Sequence, residues 1–268
     1  MVGVNIMSSY ETVSIIMPTF NAASYISYSI ISVIEQSYND WHLYIIDDGS
    51  TDNTAHEISN FTDLRITYVM LPINSGVANA RNIGIKMAKG KFIAFLDSDD
   101  IWEKEKLSLQ IPLLEKGYDV VCSNYAIFKN EPKKIIGSRT APQQITYSRL
   151  LRGNCIGNLT GIYNRERLGK CLQEECGHED YLMWLQLVKL SGSAYCIQKN
   201  LARYRVTEHS VSSNKLKAAF WQWNIYRKKL KLNILSSIYY WCNYSFYAFM
   251  HMLKMKFHVN KSNLIYKR

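Results

Sequence analysis

Two groups of carboxylates are the residues in this sequence whose types and spacing could do chemistry. The first acidic cluster is Asp47-Asp48, and the second acidic cluster is Asp97-Ser98-Asp99-Asp100. Crowded carboxylates disfavour one another's charge unless a cation or hydrogen-bond donors neutralise them. Hard oxygen ligands select Mg²⁺ or Mn²⁺, which also take phosphate oxygens from a substrate. The second cluster therefore predicts a divalent-metal site, with capping of the following helix by Ser98 or Asp99 as the alternative.

Both clusters follow apolar runs that have the character of buried strands. The predicted strands in the first hundred residues are Val13–Phe20, Trp41–Ile46, Arg65–Met70 and Phe92–Leu96. The predicted helices between them are Ala22–Gln36, Asp52–Phe61 and Gly76–Ala88. This alternation predicts an α/β fold with a Rossmann-like, mostly parallel sheet and helices on both faces. Open α/β sheets bind ligands at the carboxyl ends of their strands, and both clusters fall at such ends.

The second half of the chain is less regular. It contains a predicted helix at Glu103–Glu115, a strand at Asp119–Asn124, a helix at Asp180–Leu190 and a strand at Tyr195–Val206. The polar stretch around Pro132 and Pro142 predicts a hairpin or a mobile loop.

Five short motifs occur in a fixed order along the chain. They are Pro18-Thr19-Phe20-Asn21, Asp47-Asp48-Gly49-Ser50-Thr51-Asp52, Ala80-Arg81-Asn82-x-Gly84, the run from Gly90 to Asp100, and Glu179-Asp180. Their order and spacing resemble the inverting family 2 glycosyltransferases, which have the GT-A fold. The resemblance implies a catalytic domain over residues 1–212. Its nucleotide-binding half would lie at about 12–100 and its acceptor half at about 101–212.

The resemblance also implies a role for each motif residue. Nucleotide-sugar contacts would come from Pro18, Thr19, Asn21, Asp47, Asp48, Arg81, Asp97, Ser98, Asp100 and Arg205. The metal would be held by Asp99, with Asp97 and His209 as further ligands. Many relatives have a histidine two residues after the arginine of the last motif, whereas this chain has Thr207 there. Asp180 matches the general base and Glu179 would orient the base or the acceptor, while helix capping is the alternative for Asp180.

The implied reaction is a single in-line displacement. An acceptor hydroxyl attacks the anomeric carbon and Asp180 takes its proton, so an α-linked donor gives a β-glycoside. The chain resembles O-antigen and capsule assembly enzymes, which implies transfer of glucose or galactose from a UDP-sugar to a sugar on undecaprenyl diphosphate. Mn²⁺ or Mg²⁺ would be the cofactor. A GlcNAc, GalNAc or rhamnose donor remains open.

The net charge of +10 is concentrated at one end of the chain. Residues 1–200 hold 19 basic and 21 acidic residues, whereas residues 201–268 hold 13 basic residues and one acid. We expect residues 213–268 to form a basic, aromatic, helical tail. Residues 232–253 carry no charge, and their apolar side chains share one helical face: Leu235, Ile238, Cys242, Phe246, Phe249 and Leu253. This pattern favours a helix at an anionic membrane surface over packing on the body or a membrane span.

Composition and missing motifs exclude other classes. Residues 1–12 lack the basic and apolar segments of a signal peptide, so we expect a cytoplasmic protein, peripheral on the inner face of a bacterial plasma membrane. A nucleotidyltransferase would need a glycine-rich, lysine-containing loop after the first strand, which is missing. A nucleic-acid-binding protein would leave both acidic clusters unexplained, and we expect no nucleic-acid partner.

Overall fold

The computed structural model describes residues 12–206 and 215–246. Its strands are β1 (Val13–Thr19), β2 (Trp41–Asp47), β3 (Ile66–Met70), β4 (Phe92–Phe95), β5 (Ile101–Trp102), β6 (Val120–Phe128), β7 (Ile135–Arg139), β8 (Gln144–Thr146), β9 (Ile162–Asn164) and β10 (Ser193–Arg205). Its helices are α1 (Ile26–Ile34), α2 (Thr54–Ser59), α3 (Val77–Met87), α4 (Lys106–Glu115), α5 (Tyr147–Leu151), α6 (Arg165–Leu168), α7 (Glu179–Ser191), α8 (Lys215–Asn224) and α9 (234–246). A 3₁₀ turn (Asn158–Thr160) and a π-helix (Ile225–Lys229) complete these elements.

The strands form one mixed sheet in the order β3-β2-β1-β4-β9-β6-β10-β5, with β7 beside β6 and β8 beside β10. Parallel pairing joins β3, β2, β1 and β4, and also joins β6 to β10. Because β9 runs antiparallel to both β4 and β6, these six strands all point the same way. The predicted mostly parallel sheet is therefore confirmed.

Helices cover both faces of the sheet, as predicted. On one face α1, α2 and α4 pack on the sheet through side chains such as Ile30, Ile58 and Leu107. On the other face α3, α5 and α7 pack through side chains such as Ile85 and Trp184. Strands buried on both faces are continuously apolar rather than alternating, which is why β1 has all seven residues buried.

The carboxyl end of β1 extends beyond its neighbour β4. Pairing with β4 covers only Val13–Ile16, so Pro18 faces no β4 residue and its missing N–H costs no hydrogen bond to that strand. The chain runs outwards from β1 through β2 to β3, whereas β4 returns to the opposite side of β1. This reversal opens a crevice between β1 and β4, the usual ligand position in such sheets.

Short strands in the second half were not predicted. β5, β8 and β9 contain only two or three residues, too few for a periodic pattern. Antiparallel pairing of β7 with β6 makes part of the polar stretch a hairpin, as one of the two alternatives stated. The strand predicted at Asp119–Asn124 extends to Phe128, because its carboxyl end gains β7 as an additional partner.

The described part of the tail packs on the body. Ile225 and Tyr226 are fully buried, and the Tyr226 hydroxyl donates to the Leu151 carbonyl at 2.5 Å. Helix α9 is held by Trp241, whose indole N–H donates to the Ala219 carbonyl at 3.0 Å. None of the described helices has the length and apolar character needed to cross a membrane. The boundary at residue 212 stays a prediction, and the tail residues 247–268 lie outside the described part.

Helix α9 turns one small polar residue, Ser237, inwards. Ser237 is fully buried, whereas Leu235 is 77% exposed and Phe246 is 60% exposed. The apolar face predicted from the sequence therefore points away from the body over its described part. The contacts with the body come from two aromatic residues of α9, Tyr240 and Trp241, which pack against the core.

Candidate active site

The first motif lies at the end of β1 and is locked to the loop after β2. Asn21 has a φ of 49°, a left-handed conformation that asparagine tolerates better than most residues. Its side-chain oxygen accepts from the Thr51 amide at 2.9 Å, and its own amide donates to Ser50 Oγ at 2.9 Å. Thr19 Oγ1 is buried and has no hydrogen-bond partner among the described residues. A ligand hydroxyl or phosphate could therefore bind at Thr19.

The first acidic cluster is fully engaged by its own surroundings. Asp47 accepts from the Ser50 amide and from the Tyr68 hydroxyl, both at 2.8 Å. Asp48 accepts from the Ser75 and Gly76 amides at 2.8 and 2.7 Å. Both carboxylates are buried. They shape the two loops that border the crevice, and their nucleotide contact stays a prediction.

Arg81 on α3 joins the third and fourth motifs. Its guanidinium donates to Asp97 Oδ1 at 2.6 Å and to Gln173 Oε1 at 3.2 Å, while its Nε has no partner in the described chain. Arg81 is 7% exposed. Burial would lower its pKa, but the nearby carboxylates, Asp97 foremost, raise it, so the guanidinium stays charged. The burial of Arg81 argues against a role as a mere surface salt bridge.

The second acidic cluster crowds three carboxylates after β4. Burial and the neighbouring Asp97 raise the pKa of Asp99 to about 6. Burial, with Asp99 and Asp97 nearby, also raises the pKa of Asp100 well above its usual range. Asp100 accepts from the Arg205 amide at 2.9 Å, which ties the end of β10 to this cluster. Ser98 lies in the turn between Asp97 and Asp99.

Arg205 ends β10 and is clamped between two aromatic rings. Its guanidinium carbon lies 4.4 Å from the Tyr25 ring centroid and 4.5 Å from that of Phe128. Its Nε donates to the Asp99 carbonyl at 2.9 Å, and its Nη2 is buried without a partner among the described residues. Stacking holds the guanidinium flat while leaving one N–H edge for a ligand. Sequence reasoning missed Tyr25 and Phe128, since no motif marks them.

Glu179 and Asp180 are the first two residues of α7. Glu179 accepts from the Gly177 amide at 2.9 Å, which ties the loop before α7 to the start of that helix. Asp180 is half-buried, with Asn154 Nδ2 at 3.4 Å from its Oδ2. Burial raises the pKa of Asp180, while Arg81 and His178 counteract part of that rise and Asp97 adds to it. Asp180 is therefore a carboxylate of increased basicity that faces the second acidic cluster.

Two further contacts position the start of α7, and neither was predicted. Asn82 forms a pair of hydrogen bonds with the backbone of Gln173, donating at 2.8 Å and accepting at 2.7 Å. Behind the loop, α8 places Trp221 on Gly177, where a Cβ would lie 2.0 Å from the indole ring. The Asn82 contact had a signal, because Asn82 stands beside Arg81 in the third motif.

The predicted residues therefore converge on one crevice, apart from His209, which lies outside the described residues. Among the described residues, no group of three histidine, cysteine, aspartate or glutamate side chains forms a ready metal site. The donor set nevertheless fits a substrate-bound Mg²⁺ or Mn²⁺, which needs only one or two carboxylates and completes its shell with phosphates and water. Asp99 fits this role, since a cation would offset its crowding.

A mostly parallel sheet of this topology, with carboxylates in the crevice and a basic carboxylate facing them, defines a GT-A-type sugar transferase. The sequence profile of Glycosyl transferase family 2 matches residues 14–171, more than half of the chain. The chain belongs to this family.

Two relatives from Escherichia coli align over most of the chain. WfgD, a UDP-Glc:alpha-D-GlcNAc-diphosphoundecaprenol beta-1,3-glucosyltransferase, is 42% identical over 87% of this chain and 91% of its own length. WfaP, described with the same activity, is 33% identical over 87% of this chain and 94% of its own length.

Solved structures share the fold. Staphylococcus aureus TarS, in complex with UDP-GlcNAc, superposes with a TM-score of 0.64 at 21% identity, over 80% of this chain. This chain spans 66% of that TarS chain, just under two thirds. The mannosyltransferase PcManGT from Pyrobaculum calidifontis, in complex with GDP-Man and Mn²⁺, gives 0.64 at 18% identity, over 86% of this chain and 69% of its own.

Proposed function

We propose that this chain transfers a hexose, glucose or galactose, from a UDP-sugar to a sugar on undecaprenyl diphosphate, forming a β-glycoside in surface polysaccharide synthesis. The observation that carries the reaction is the position of Asp180. Asp180 lies at the start of α7, within electrostatic reach of Arg81 and Asp97. Burial raises its pKa. The activity described for WfgD, which is 42% identical, supports the donor and acceptor classes.

The residues of the crevice divide the work of an inverting displacement. Asp180 accepts the proton of the attacking hydroxyl, and its raised pKa makes it a stronger base than an exposed carboxylate. Negative charge grows on the leaving diphosphate. Among the described residues, the buried guanidiniums of Arg81 and Arg205 each have one donor without a partner, Nε and Nη2 respectively, that could stabilise this charge. Preorganised donors of this kind favour the transition state because they need no reorganisation as the charge develops.

We also propose dependence on Mn²⁺ or Mg²⁺. Asp99, with Asp97 beside it, would hold the ion together with the donor diphosphate. When bound, the ion would supply positive charge against the leaving group. Binding the ion would also relieve the crowding that raises the pKa of Asp99 to about 6. The proposal includes His209 as a further metal ligand.

The third part of the proposal is peripheral attachment to the cytoplasmic face of an anionic membrane, where the lipid-linked acceptor would be. Helix α9 presents Leu235, Ile238 and Phe246 to solvent. Lys228 and Lys231 are exposed just before this helix. An exposed apolar face with adjacent lysines suits the headgroup region of an anionic bilayer.

A donor screen with the purified full chain tests the proposed reaction. The acceptor is GlcNAc α-linked to a diphosphate on a short alkyl chain, and the donors are UDP-Glc, UDP-Gal, UDP-GlcNAc, UDP-GalNAc and dTDP-rhamnose. Mass spectrometry identifies the added sugar, and the coupling of its anomeric proton identifies the linkage. We expect one added hexose in β-linkage from UDP-Glc or UDP-Gal. An α-linked product, or transfer from none of the five donors, would contradict the proposal.

A further inference from the structure

Arg139 is an exposed arginine at the end of β7 for which the known motifs provide no role. In the antiparallel pairing of β6 with β7 it lies directly opposite Tyr125. Directly opposed residues project from the same face of a sheet, so the two side chains are neighbours. Among the residues that the structure describes, the Arg139 guanidinium has no ion-pair partner. An arginine beside an active site with no acidic partner is available to an anion.

Tyr125 links Arg139 to the reacting carboxylates. Its ring packs on Gly157, where an added Cβ would lie 2.7 Å from ring atom Cε1. Burial raises the pKa of Tyr125, the Arg139 guanidinium lowers it, and Asp100 and Asp180 raise it further. The Tyr125 hydroxyl therefore lies within electrostatic reach of both Arg139 and Asp180.

Helix α9 approaches the same place from the tail. Its Tyr244 lies against the loop after α5, with a ring carbon 3.9 Å from the Cβ position of Gly153. Burial raises the pKa of Tyr244 and Arg139 lowers it, so both tyrosine hydroxyls lie within electrostatic reach of the arginine. The residue after Gly153 is Asn154, which contacts Asp180 at 3.4 Å. Tyr244, near the end of α9, and Tyr125, the neighbour of Arg139, therefore both contact the loop that also holds Asn154 against Asp180.

We propose that Arg139, flanked by the hydroxyls of Tyr125 and Tyr244, binds the diphosphate of the lipid-linked acceptor. The inference rests on the proposed function. In such an acceptor the diphosphate is attached to the anomeric carbon, one sugar ring away from the hydroxyl that loses its proton to Asp180. An arginine fork matches two phosphate oxygens at once, and tyrosine hydroxyls donate to others. The apolar face of α9, on the helix that carries Tyr244, would lie along the lipid chain.

A binding experiment tests the site without relying on turnover. The probe is decyl diphosphate, titrated calorimetrically into the full chain saturated with UDP, so that the donor diphosphate site is already filled. We expect wild type to bind and Arg139→Ala to bind about 10- to 100-fold more weakly, the loss typical of a charge-assisted hydrogen-bonded pair. Lys134→Ala is the matched control, since it removes one exposed positive charge from the same hairpin. Arg139→Lys should recover part of the affinity.

Three results would overturn the site. The first is equal affinity of wild type and Arg139→Ala for decyl diphosphate. The second is equal weakening by Lys134→Ala, which would indicate a diffuse positive field and no defined site. If UDP abolishes binding of the probe to wild type, the probe occupies the donor position and the inference is also wrong.

Kinetics separate this inference from the proposed function. With the GlcNAc-diphosphate acceptor, Arg139→Ala should raise KM about 10- to 100-fold and leave kcat within about threefold. With an alkyl GlcNAc glycoside that lacks phosphate, the variant and wild type should have equal kcat/KM. Equal losses on both acceptors would assign Arg139 a structural role. If wild type binds the probe through Arg139 but transfers no sugar to either acceptor, the proposed function fails and the diphosphate site stands.

Discussion

The two acidic clusters occupy equivalent places in the sheet and differ in what neutralises them. They follow β2 and β4, the two strands that flank β1. In the first cluster, backbone amides and hydroxyls of the protein satisfy both carboxylates. In the second cluster, the pKa of Asp99 rises to about 6 because burial and Asp97 disfavour its charge. Identical residue types at similar positions therefore serve different ends.

The two clusters differ in how many backbone N–H groups the neighbouring loops direct at their carboxylates. The loop after β3 turns the Ser75 and Gly76 amides towards Asp48, and the loop after β2 turns the Ser50 amide towards Asp47. The turn after β4 offers the second cluster few such donors, since within residues 12–206 and 215–246 the Asp100 carboxylate accepts from one backbone amide, that of Arg205. A carboxylate completed by the protein stabilises a loop, whereas one left uncompensated keeps its proton to higher pH or needs a cation beside it. The comparison predicts that substitutions in the first cluster affect folding and those facing the second affect turnover.

The largest effect is expected at Asp180, which faces the second cluster. Asp180→Asn cannot accept the acceptor proton, so kcat should fall about 10²- to 10⁴-fold, the usual contribution of a general base. UDP affinity, measured calorimetrically, should change little because the donor site lies elsewhere. Wild-type kcat/KM should fall as the pH drops through the pKa of Asp180, which burial raises above the ordinary carboxyl range. Turnover by Asp180→Asn at the wild-type rate would place the base on another residue.

The next largest effect is expected at Asp99. Activity should need Mn²⁺ or Mg²⁺, and Asp99→Asn should require much more metal and lose about 10²-fold or more of kcat/KM. In metal-free buffer its Tm should equal or exceed that of wild type, because the substitution removes a crowded charge. The wild-type Asp99 keeps its proton up to about pH 6 when folded but releases it near pH 4 when unfolded. Metal-free wild type should therefore lose stability from pH 4 to 6 relative to Asp99→Asn. Full wild-type activity in EDTA would contradict the metal assignment.

Asp48→Asn tests the first acidic cluster, which we expect to act on stability. The asparagine side chain would place its NH₂ group against one of the two backbone N–H groups, of Ser75 or Gly76, that now donate to Asp48. One buried hydrogen bond is therefore lost. We expect a loss of about 1–3 kcal/mol of unfolding free energy, measured by urea denaturation. Asp99→Asn is the matched control, with the same chemical change and the opposite expected effect on stability. Equal stability changes in the two variants would remove the distinction between the clusters.

The sequence predicted the long buried strands and their acidic ends because both depend on local pattern. Phe92–Leu96 is continuously apolar and Asp97 follows it directly. Contacts made across the fold have no such pattern. Arg205 stacks between Tyr25 and Phe128, which are separated by more than a hundred residues. The sequence of α9 shows its amphipathic pattern. It does not show which side of the helix packs against the rest of the chain, because that depends on the distant contact of Trp241 with the Ala219 carbonyl.

The smallest effect is expected at Asn82, which ties the two sides of the site together. Its paired hydrogen bonds to the Gln173 backbone hold the segment that leads to Asp180 beside the Arg81–Asp97 pair. Asn82→Ala removes both bonds, so the base should be less well placed and kcat should fall about tenfold, since small misplacements reduce rate strongly. The Kd for UDP should stay within about twofold.

A matched variant separates positioning from simple loss of stability. Asn82→Asp keeps the oxygen that accepts from the Gln173 amide but replaces the donor that reaches the Gln173 carbonyl. It should therefore reduce kcat as Asn82→Ala does, and a positioning role predicts that the uncharged variant Asn82→Ala leaves the pH at which kcat/KM is half-maximal nearly unchanged. If Asn82→Ala lowers UDP affinity and kcat in equal proportion, the hydrogen bonds support the whole crevice and do not act on the base in particular.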